Sequence, residues 1–453
     1  MRRLSFIAAC LALPALAVAA PASAHAATAA RAGVDYVPGE VVVRYEPGAD
    51  RAARAAAQRA GGAWRPRVFA PRSRVLTVRD GASVEATARA LRRRPGVASA
   101  TPNWIARTSF VPNDPGFDAV PGGWQNTQWN FGPTVGVNAP AAWDNLIAAG
   151  RPGGRGSVIA VLDTGVAYTN RDRFRRSPDF SPVRFLHGYD FVDRDRYPND
   201  QNGHGTHVAG TIGETVNNGA GVTGLAYGAR IIPVRVLDRL GEGDSSAISA
   251  GIRYAAHRGA DVVNLSFEFG TAVTRNDIPD ILEALRYARR KGTLVVGASG
   301  NAAATAVAYP ARAGEVLSVG ATTEHLCQAD YSNAGPGLDV SAPGGGEDAT
   351  VPGEANCRPD LPPGRDIYQM TFKGSVRSFG LPGGYMGTSM AAPHVTAVAA
   401  LVVASGVLGR NPTPRDIEAR LKATARDLGP TGPDARYGAG LVDAGAATAP
   451  PAG

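Results

Sequence analysis

No stretch of the chain repeats at an interval of about 20 to 50 residues, which excludes solenoid and propeller architectures. Past the N-terminus no apolar run reaches the roughly 20 residues of a transmembrane helix without a charge or an interruption, so no membrane anchor is expected. Cysteine is scarce, with three in 453 residues, which leaves room for one disulfide at most. The apolar fraction of 44% is ordinary for a globular protein, and the length allows two or three domains, each with its own core.

The N-terminus reads as a leader. Arg2 and Arg3 give a short basic start, and "LSFIAACLALPALAVAA" is an apolar run broken by Pro14. Small residues near Ala24 to Ala26 supply cleavage positions, so residues 1–26 are expected to be a secretory signal peptide and the protein to be secreted. Removing it takes Cys10 away and leaves Cys327 and Cys357 in an exported protein, where an even pair is expected to bridge. A loop of about thirty residues closed in this way contributes roughly 3 to 4 kcal/mol by the chain-entropy model.

The net charge of +8 suggests a nucleic-acid partner until the charge is located. Ala27 to Thr108 carries fifteen arginines against six carboxylates, and the leader adds two more positive charges, which leaves −3 for Ser109 to Gly453. The basic character therefore belongs to the N-terminal segments, and no nucleic-acid partner is expected.

Three regions follow from the pattern: 1–26, 27–108 and 109–453. In the second, "YVPGEVVVRYEPG", an arginine-rich helical pattern, "SRVLTVRD", "SVEATARALRRRPG" and "VASATPNWIAR" give a βαββαβ-like order, the arrangement of a small α+β domain. From Ser157 onward short apolar runs such as "SVIAVLD", "IIPVRVL", "DVVNLS", "TLVVGAS" and "VLSVGA" alternate with helical patterns. That is the rhythm of an α/β fold, a mostly parallel central sheet with helices on both faces. In such sheets functional residues gather past the C-terminal ends of the strands, where Asp163, Ser266 and Asn301 fall. The Gly- and Pro-rich stretch Ala342 to Gly384 reads as a long surface loop.

Three stretches carry chemistry. "NGHGTHVAG" puts His204 and His207 three positions apart, but Gly205 stands where a helical zinc site of the H-E-x-x-H type needs its glutamate. "VIAVLDTGV" ends an apolar strand on Asp163, a carboxylate that needs a partner such as an imidazolium. "GYMGTSMAAPHV" sets Ser389 where a glycine-bounded turn enters an apolar helix, so N–H groups and the positive end of the helix dipole lie near its hydroxyl. Taken singly, a strand-end Asp, a glycine-flanked Ser and a lone His are ordinary cap, turn or packing residues. An α/β-hydrolase would show G-x-S-x-G and the order Ser, Asp, His; here the serine lies in "GTSMA" and the order is Asp, His, Ser.

"VLDTGV", "NGHGTHVAG" and "GTSMAAPHV" resemble the three active-site signatures of the subtilisin-like serine proteases, in that family's order. The resemblance covers roughly Asn113 to Ala447 and implies the subtilisin-like fold for 109–453 and an inhibitory propeptide for 27–108. It further implies a serine endopeptidase acting on protein and peptide substrates through an acyl-enzyme. Carried over residue by residue, Ser389 is the nucleophile, His204 the general base and then acid, and Asp163 the group that fixes the histidine tautomer. Asn301, in "GASGN", is the oxyanion-hole donor, and His207 packs within its helix. No organic cofactor is implied, and a monomer is expected. The propeptide acts as an intramolecular inhibitor, and self-cleavage is expected between Ala106 and Asn113.

Substrate is expected as an extended strand against "LGEGDSS" and "NLSFEFG", with Gly243, Ser266, Phe267, Glu268, Ala298 and Gly300 as contacts. The family commonly has Leu-Gly-Gly after the serine equivalent to Ser266; this chain has Phe267, Glu268 and Phe269 before Gly270. Glu268 either faces the pocket and favours a basic side chain or points to solvent. "TVNNGAGVTG" resembles the family's calcium loop. The ligands implied are the carbonyls of Val216, Ala220 and Val222, the side chain of Asn218, Asp172 nine residues after Asp163, and Gln128.

Overall fold

The computed structural model describes residues 36–79, 81–105, 110–351, 354–358 and 362–450. The proposed signal peptide and residues 106–109 of the expected processing stretch lie outside these. The chain divides into two compact units between Arg107 and Thr108.

The first unit runs β1 (Tyr36–Tyr45), α1 (Arg51–Gly61), β2 (Ala63–Ala70), β3 (Ser73–Val78), α2 (Val84–Arg92) and β4 (Val97–Trp104). Its sheet is antiparallel in the order β2-β3-β1-β4. Asp50 and Ser83 cap the two helices by accepting from Ala53 N and Ala86 N. Val41, Val43 and Tyr45, alternate residues of β1, pack with Ala88 and Leu91 of α2 into the unit's core.

The second unit begins with α3 (Ala139–Ala148), β5 (Val158–Asp163), β6 (Tyr189–Asp190), α4 (His204–Gly213), β7 (Arg230–Arg235) and α5 (Ser245–His257). It continues with β8 (Val262–Leu265), α6 (Pro279–Arg290), β9 (Leu294–Ala298), β10 (Val316–Thr322), β11 (Val340–Pro343), α7 (Thr388–Ser405) and α8 (Pro414–Thr424). Seven strands pair in parallel in the order β11-β10-β9-β8-β5-β7-β6. Every residue of β5 is buried, because both of its faces are covered. Ile159 and Val161 join Val208 and Ile212 of α4 and Val395 and Val398 of α7, whereas Ala160 and Leu162 join Ile248 and Ile252 of α5 and Ile281 and Leu285 of α6. Strand order turns at β5, with β7 on one side and β8 on the other, so the crevice of this sheet opens at Asp163.

At 18 residues and a mean hydropathy of 1.4, α7 is long and apolar enough to cross a bilayer; 78% of it is buried inside the fold, so it is a core helix. The stretch from Ala342 to Gly384 is not the surface loop its composition suggests. It starts inside β11, and Ile367, Gln369, Met370 and Thr371 are buried. Polar groups hold it there: Met370 N donates to Glu214 Oε1 at 2.7 Å and Thr371 Oγ1 to the carbonyl of Gly203 at 2.6 Å. Cys327 and Cys357 are bridged across 30 positions, with Cα atoms 4.4 Å apart.

Candidate active site

Asp163 ends β5 with no exposed surface. Its Oδ1 accepts from the backbone N of Thr164 at 2.7 Å and from Nδ1 of His204 at 2.7 Å. A carboxylate only accepts, so Nδ1 carries the proton, and a neutral His204 ring has its lone pair on Nε2. Burial alone would lower the His204 pKa, but the charge and hydrogen bond of Asp163, helped by the charge of Asp200, outweigh it and raise the pKa above the ordinary imidazole value. The helix carrying His204 comes this close because of Gly205: a Cβ there would meet the Gly165 carbonyl at 2.2 Å and the Asp163 side chain at 3.0 Å. One turn on, His207 is buried, donates through Nε2 to the Ile367 carbonyl at 2.9 Å and stacks on Tyr385 at 4.1 Å. Burial pushes its pKa down to about 3, a packing histidine rather than a proton carrier.

Asp200, which the motif reading passed over, builds the floor of this pair. Its Oδ1 accepts from Thr164 Oγ1, Asn202 N and Gly203 N, and its Oδ2 from Thr206 N and Oγ1. Five donors thus tie the end of β5 to the first turn of α4. The signal available in the sequence was an acidic residue just ahead of a glycine-flanked helix start.

Ser389 is the second residue of α7 and is partly exposed. Its Oγ donates to the carbonyl of Ser266 at 3.0 Å, and Ser266 Oγ donates to the carbonyl of Ser389 at 2.7 Å, so the end of β8 and the start of α7 are clasped together. Among the described residues the Ser389 hydroxyl bonds to Ser266 rather than to His204. The turn before Ser389 lies against the start of α4: a Cβ on Gly203 would sit 3.0 Å from the hydroxyl of Tyr385.

Asn301 follows β9 and is exposed. Its Oδ1 accepts from Thr388 N at 2.8 Å and Thr388 Oγ1 at 3.0 Å, which fixes the sense of the amide and leaves Nδ2 as the end it presents. Gly387, at φ +143°, keeps the approach clear, since a Cβ there would stand 3.4 Å from Asn301 Oδ1 and 3.7 Å from Ser389 N. Asn301 and Ser389 N thus lie on the same side of the turn at Gly387, close to the start of α7. Ser266, Phe267 and Glu268 follow β8, Ala298 ends β9 with Gly300 just beyond it, and Gly243 lies in the segment after β7, past the strand ends where Asp163 also sits. Glu268 does not point to open solvent: half-buried, its Oε1 accepts from Asn301 N at 3.0 Å and its Oε2 from Asn301 Nδ2 at 3.4 Å.

The loop 215–224 departs from expectation at two ligands. Asp172 is not brought to it: the side chain is 73% exposed beside Arg171, in a turn where its φ is +52°. That turn, closed by Arg171 and Phe174, spoils a count made along the chain, and Asp179 stands at the loop instead. Its Oδ1 accepts from Asn218 Nδ2 at 2.7 Å and its Oδ2 from Val222 N at 2.9 Å. Gln128 is buried with its carbonyl oxygen already accepting from Thr223 N and Oγ1. Asp114, which the sequence reading did not name, lies at the loop and accepts from Asn217 N and Asn218 N. Burial raises the pKa of both Asp114 and Asp179, and no side-chain cation among the described residues pairs with either. No three His, Cys, Asp or Glu side chains converge there among the described residues, so a cation would depend on two carboxylates, Asn218 and main-chain carbonyls.

Residues 154–440 match the model described as the Subtilase family, and residues 22–103 match that of the Fervidolysin N-terminal prodomain. Over 404 residues the chain is 35% identical to the thermophilic serine proteinase of Bacillus sp. (strain AK1), a match covering 89% of this chain and 86% of that protein. It is also 35% identical over 323 residues to thermitase of Thermoactinomyces vulgaris, covering 71% of this chain and 94% of thermitase. Among solved structures, a protease from Pseudoalteromonas arctica PAMC 21717 superposes with a TM-score of 0.59 at 32% identity, covering 75% of this chain and 99% of that one.

Proposed function

This chain belongs to the subtilase family of serine proteinases, and from that premise we propose that it is a secreted, self-processing endopeptidase whose nucleophile is Ser389. The observation that carries this reading is the 2.7 Å hydrogen bond from His204 Nδ1 to the buried Asp163, which leaves Nε2 free to take a proton. In the reaction the Ser389 hydroxyl turns from Ser266 toward His204. Its Oγ bonds to the scissile carbonyl carbon while its proton passes to Nε2. Asn301 Nδ2 and Ser389 N donate to the oxyanion that forms. His204 then returns the proton to the leaving amine, and the acyl-enzyme is released by water in the reverse sequence. Asp163 stabilises the imidazolium between the two transfers and keeps the ring in one tautomer.

The N-terminal prodomain supports synthesis as a precursor that inhibits its own catalytic unit until removed. A serine-directed fluorophosphonate with peptide mapping tests the nucleophile: an adduct on Ser389 is expected, and an active enzyme labelled elsewhere, or not at all, refutes the assignment.

We infer that the loop at 215–224 would take calcium. Asp114, Asp179, the Asn218 side chain turned oxygen-inward, and the carbonyls of Val216, Ala220 and Val222 would hold it, an all-oxygen set of the kind a hard cation takes. When bound it supplies no chemistry to the reaction; it offsets two buried negative charges and ties residues near the start of the catalytic unit to the loop after α4. Chelation is expected to lower the melting temperature by several degrees, since a ligand present at about 1,000 times its Kd stabilises by roughly 4 kcal/mol. Asp179→Asn should melt lower in calcium and respond little to chelator. A wild-type melting curve indifferent to chelation rejects the site.

A further inference from the structure

Glu268 is a carboxylate with no cationic partner among the described residues, turned onto the very amide that the proposed mechanism uses. Its neighbours explain the direction. Phe267 and Phe269 pack against the core on the α5 and α6 side, and Phe269 N is held by the carbonyl of Tyr309 at 2.8 Å, while Glu268 between them is turned to Asn301. There the backbone N and Nδ2 of Asn301 engage one lone pair on each carboxylate oxygen. A carboxylate offers about four, so two remain for a further donor pair.

We propose that Glu268 selects a cationic side chain, arginine or lysine, on the residue whose carbonyl is attacked, and that this selection directs cleavage of the precursor to the Arg107–Thr108 bond. The inference rests on the serine-protease reading above. Two observations lead to it. First, Glu268 lies one hydrogen bond from the donor that receives the oxyanion. With a neutral side chain in the cleft, two negative charges come to share one amide in the transition state; a guanidinium lying across the carboxylate neutralises one of them as the second forms, a gain realised in the transition state. In that arrangement the side chain of the residue bearing the attacked carbonyl would start beside Glu268. Second, between Ala106 and Asn113 the sequence holds a single Lys or Arg, Arg107. From Phe110 the chain is already anchored in the second unit, its N donating to Asp144 and its ring packed on Trp143 and Tyr227.

The test uses the full precursor and the enzyme matured from it, with two peptide p-nitroanilides that differ only in Arg or Leu before the scissile bond. For wild type the Arg peptide is expected to have a kcat/KM at least tenfold above the Leu peptide. In Glu268→Gln the ratio should fall at least tenfold, and Glu268→Asp should recover part of it. The mature wild-type N-terminus, read by intact mass, should be Thr108, and Arg107→Leu should slow processing or move the cut. A ratio untouched by Glu268→Gln overturns the proposal, as does an equal loss on both peptides, which would make Glu268 a positioning residue for Asn301 only. Wild-type maturation at another bond with Arg107→Leu processing normally overturns its second half. Mature enzyme that cleaves neither peptide and takes no phosphonate rejects the serine-protease reading itself, whereas an active enzyme without Arg preference rejects only the role of Glu268.

Discussion

Ser389→Ala is expected to accumulate as an uncleaved precursor and to lose about six orders of magnitude in kcat, the size known for removing the nucleophile of subtilisin. The substitution deletes one oxygen at the partly exposed start of α7 and breaks one hydrogen bond, to the carbonyl of Ser266. The reciprocal bond, from Ser266 Oγ to the Ser389 carbonyl, does not need the hydroxyl and keeps the clasp between β8 and α7. Stability should therefore change little, and the loss should be chemical. Casein digestion and intact mass check both halves at once: no digestion and no shortening in the variant, both in wild type. A variant that still shortens its own chain in pure form removes Ser389 from the mechanism.

Asp163→Asn should lower kcat by about four orders of magnitude while leaving the protein folded, the effect of losing the correct histidine tautomer in a serine triad. The geometry supplies the reason. Asp163 Oδ1 takes both hydrogen bonds, and Oδ2 is buried with no partner among the described residues. An asparagine keeping its oxygen at the Oδ1 position buries an NH2 group with nothing to receive it. Turned over, it sets that NH2 against the Thr164 N–H and obliges His204 Nδ1 to accept, which moves the ring proton to Nε2 and disables the base. The pH profile separates this from a general loss. In wild type, Asp163 outweighs burial and raises the His204 pKa. kcat/KM should thus fall with decreasing pH through a value above the ordinary imidazole pKa. Without the carboxylate the same limb should move to lower pH. Wild-type kcat/KM in the variant would contradict the triad.

What could be read from the chain was whatever is local to it. The strands at 158–163, 230–235 and 294–298 are apolar runs because helices cover both of their faces, so a continuous run is itself the record of their burial. The residues Asp163, His204 and Ser389 are marked by glycines and small neighbours within a few positions, since close backbone approach leaves its trace beside the residue that needs it. The two-residue strand at 189–190 leaves no such trace. Asp179 was missed because a turn at 171–174 lengthens the chain without moving its ends far, which defeats a fixed spacing. The direction of Glu268 was left open because it is decided by Asn301, 33 positions away, and by two phenylalanines whose burial is a property of the assembled core. The interior course of 367–371 is hidden for the same reason: the Ile367 carbonyl, the Met370 N–H and the Thr371 hydroxyl satisfy His207, Glu214 and Gly203, partners the composition does not reveal.

The helix 388–405 gives the protein no inexpensive way to lose its activity by halves. Its first turn presents Ser389, the proposed nucleophile, and most of the rest is buried against the sheet and its companion helices. Beyond that first turn, local opening events of the kind that fray termini and surface loops cannot displace the helix from the interior, since that amounts to unfolding the unit. Thermal inactivation is consequently expected to coincide with the cooperative melting of the unit. Resistance to self-digestion in such a molecule is then set by the global equilibrium and by whichever surface loops can be nicked, not by any looseness at the site of the chemistry.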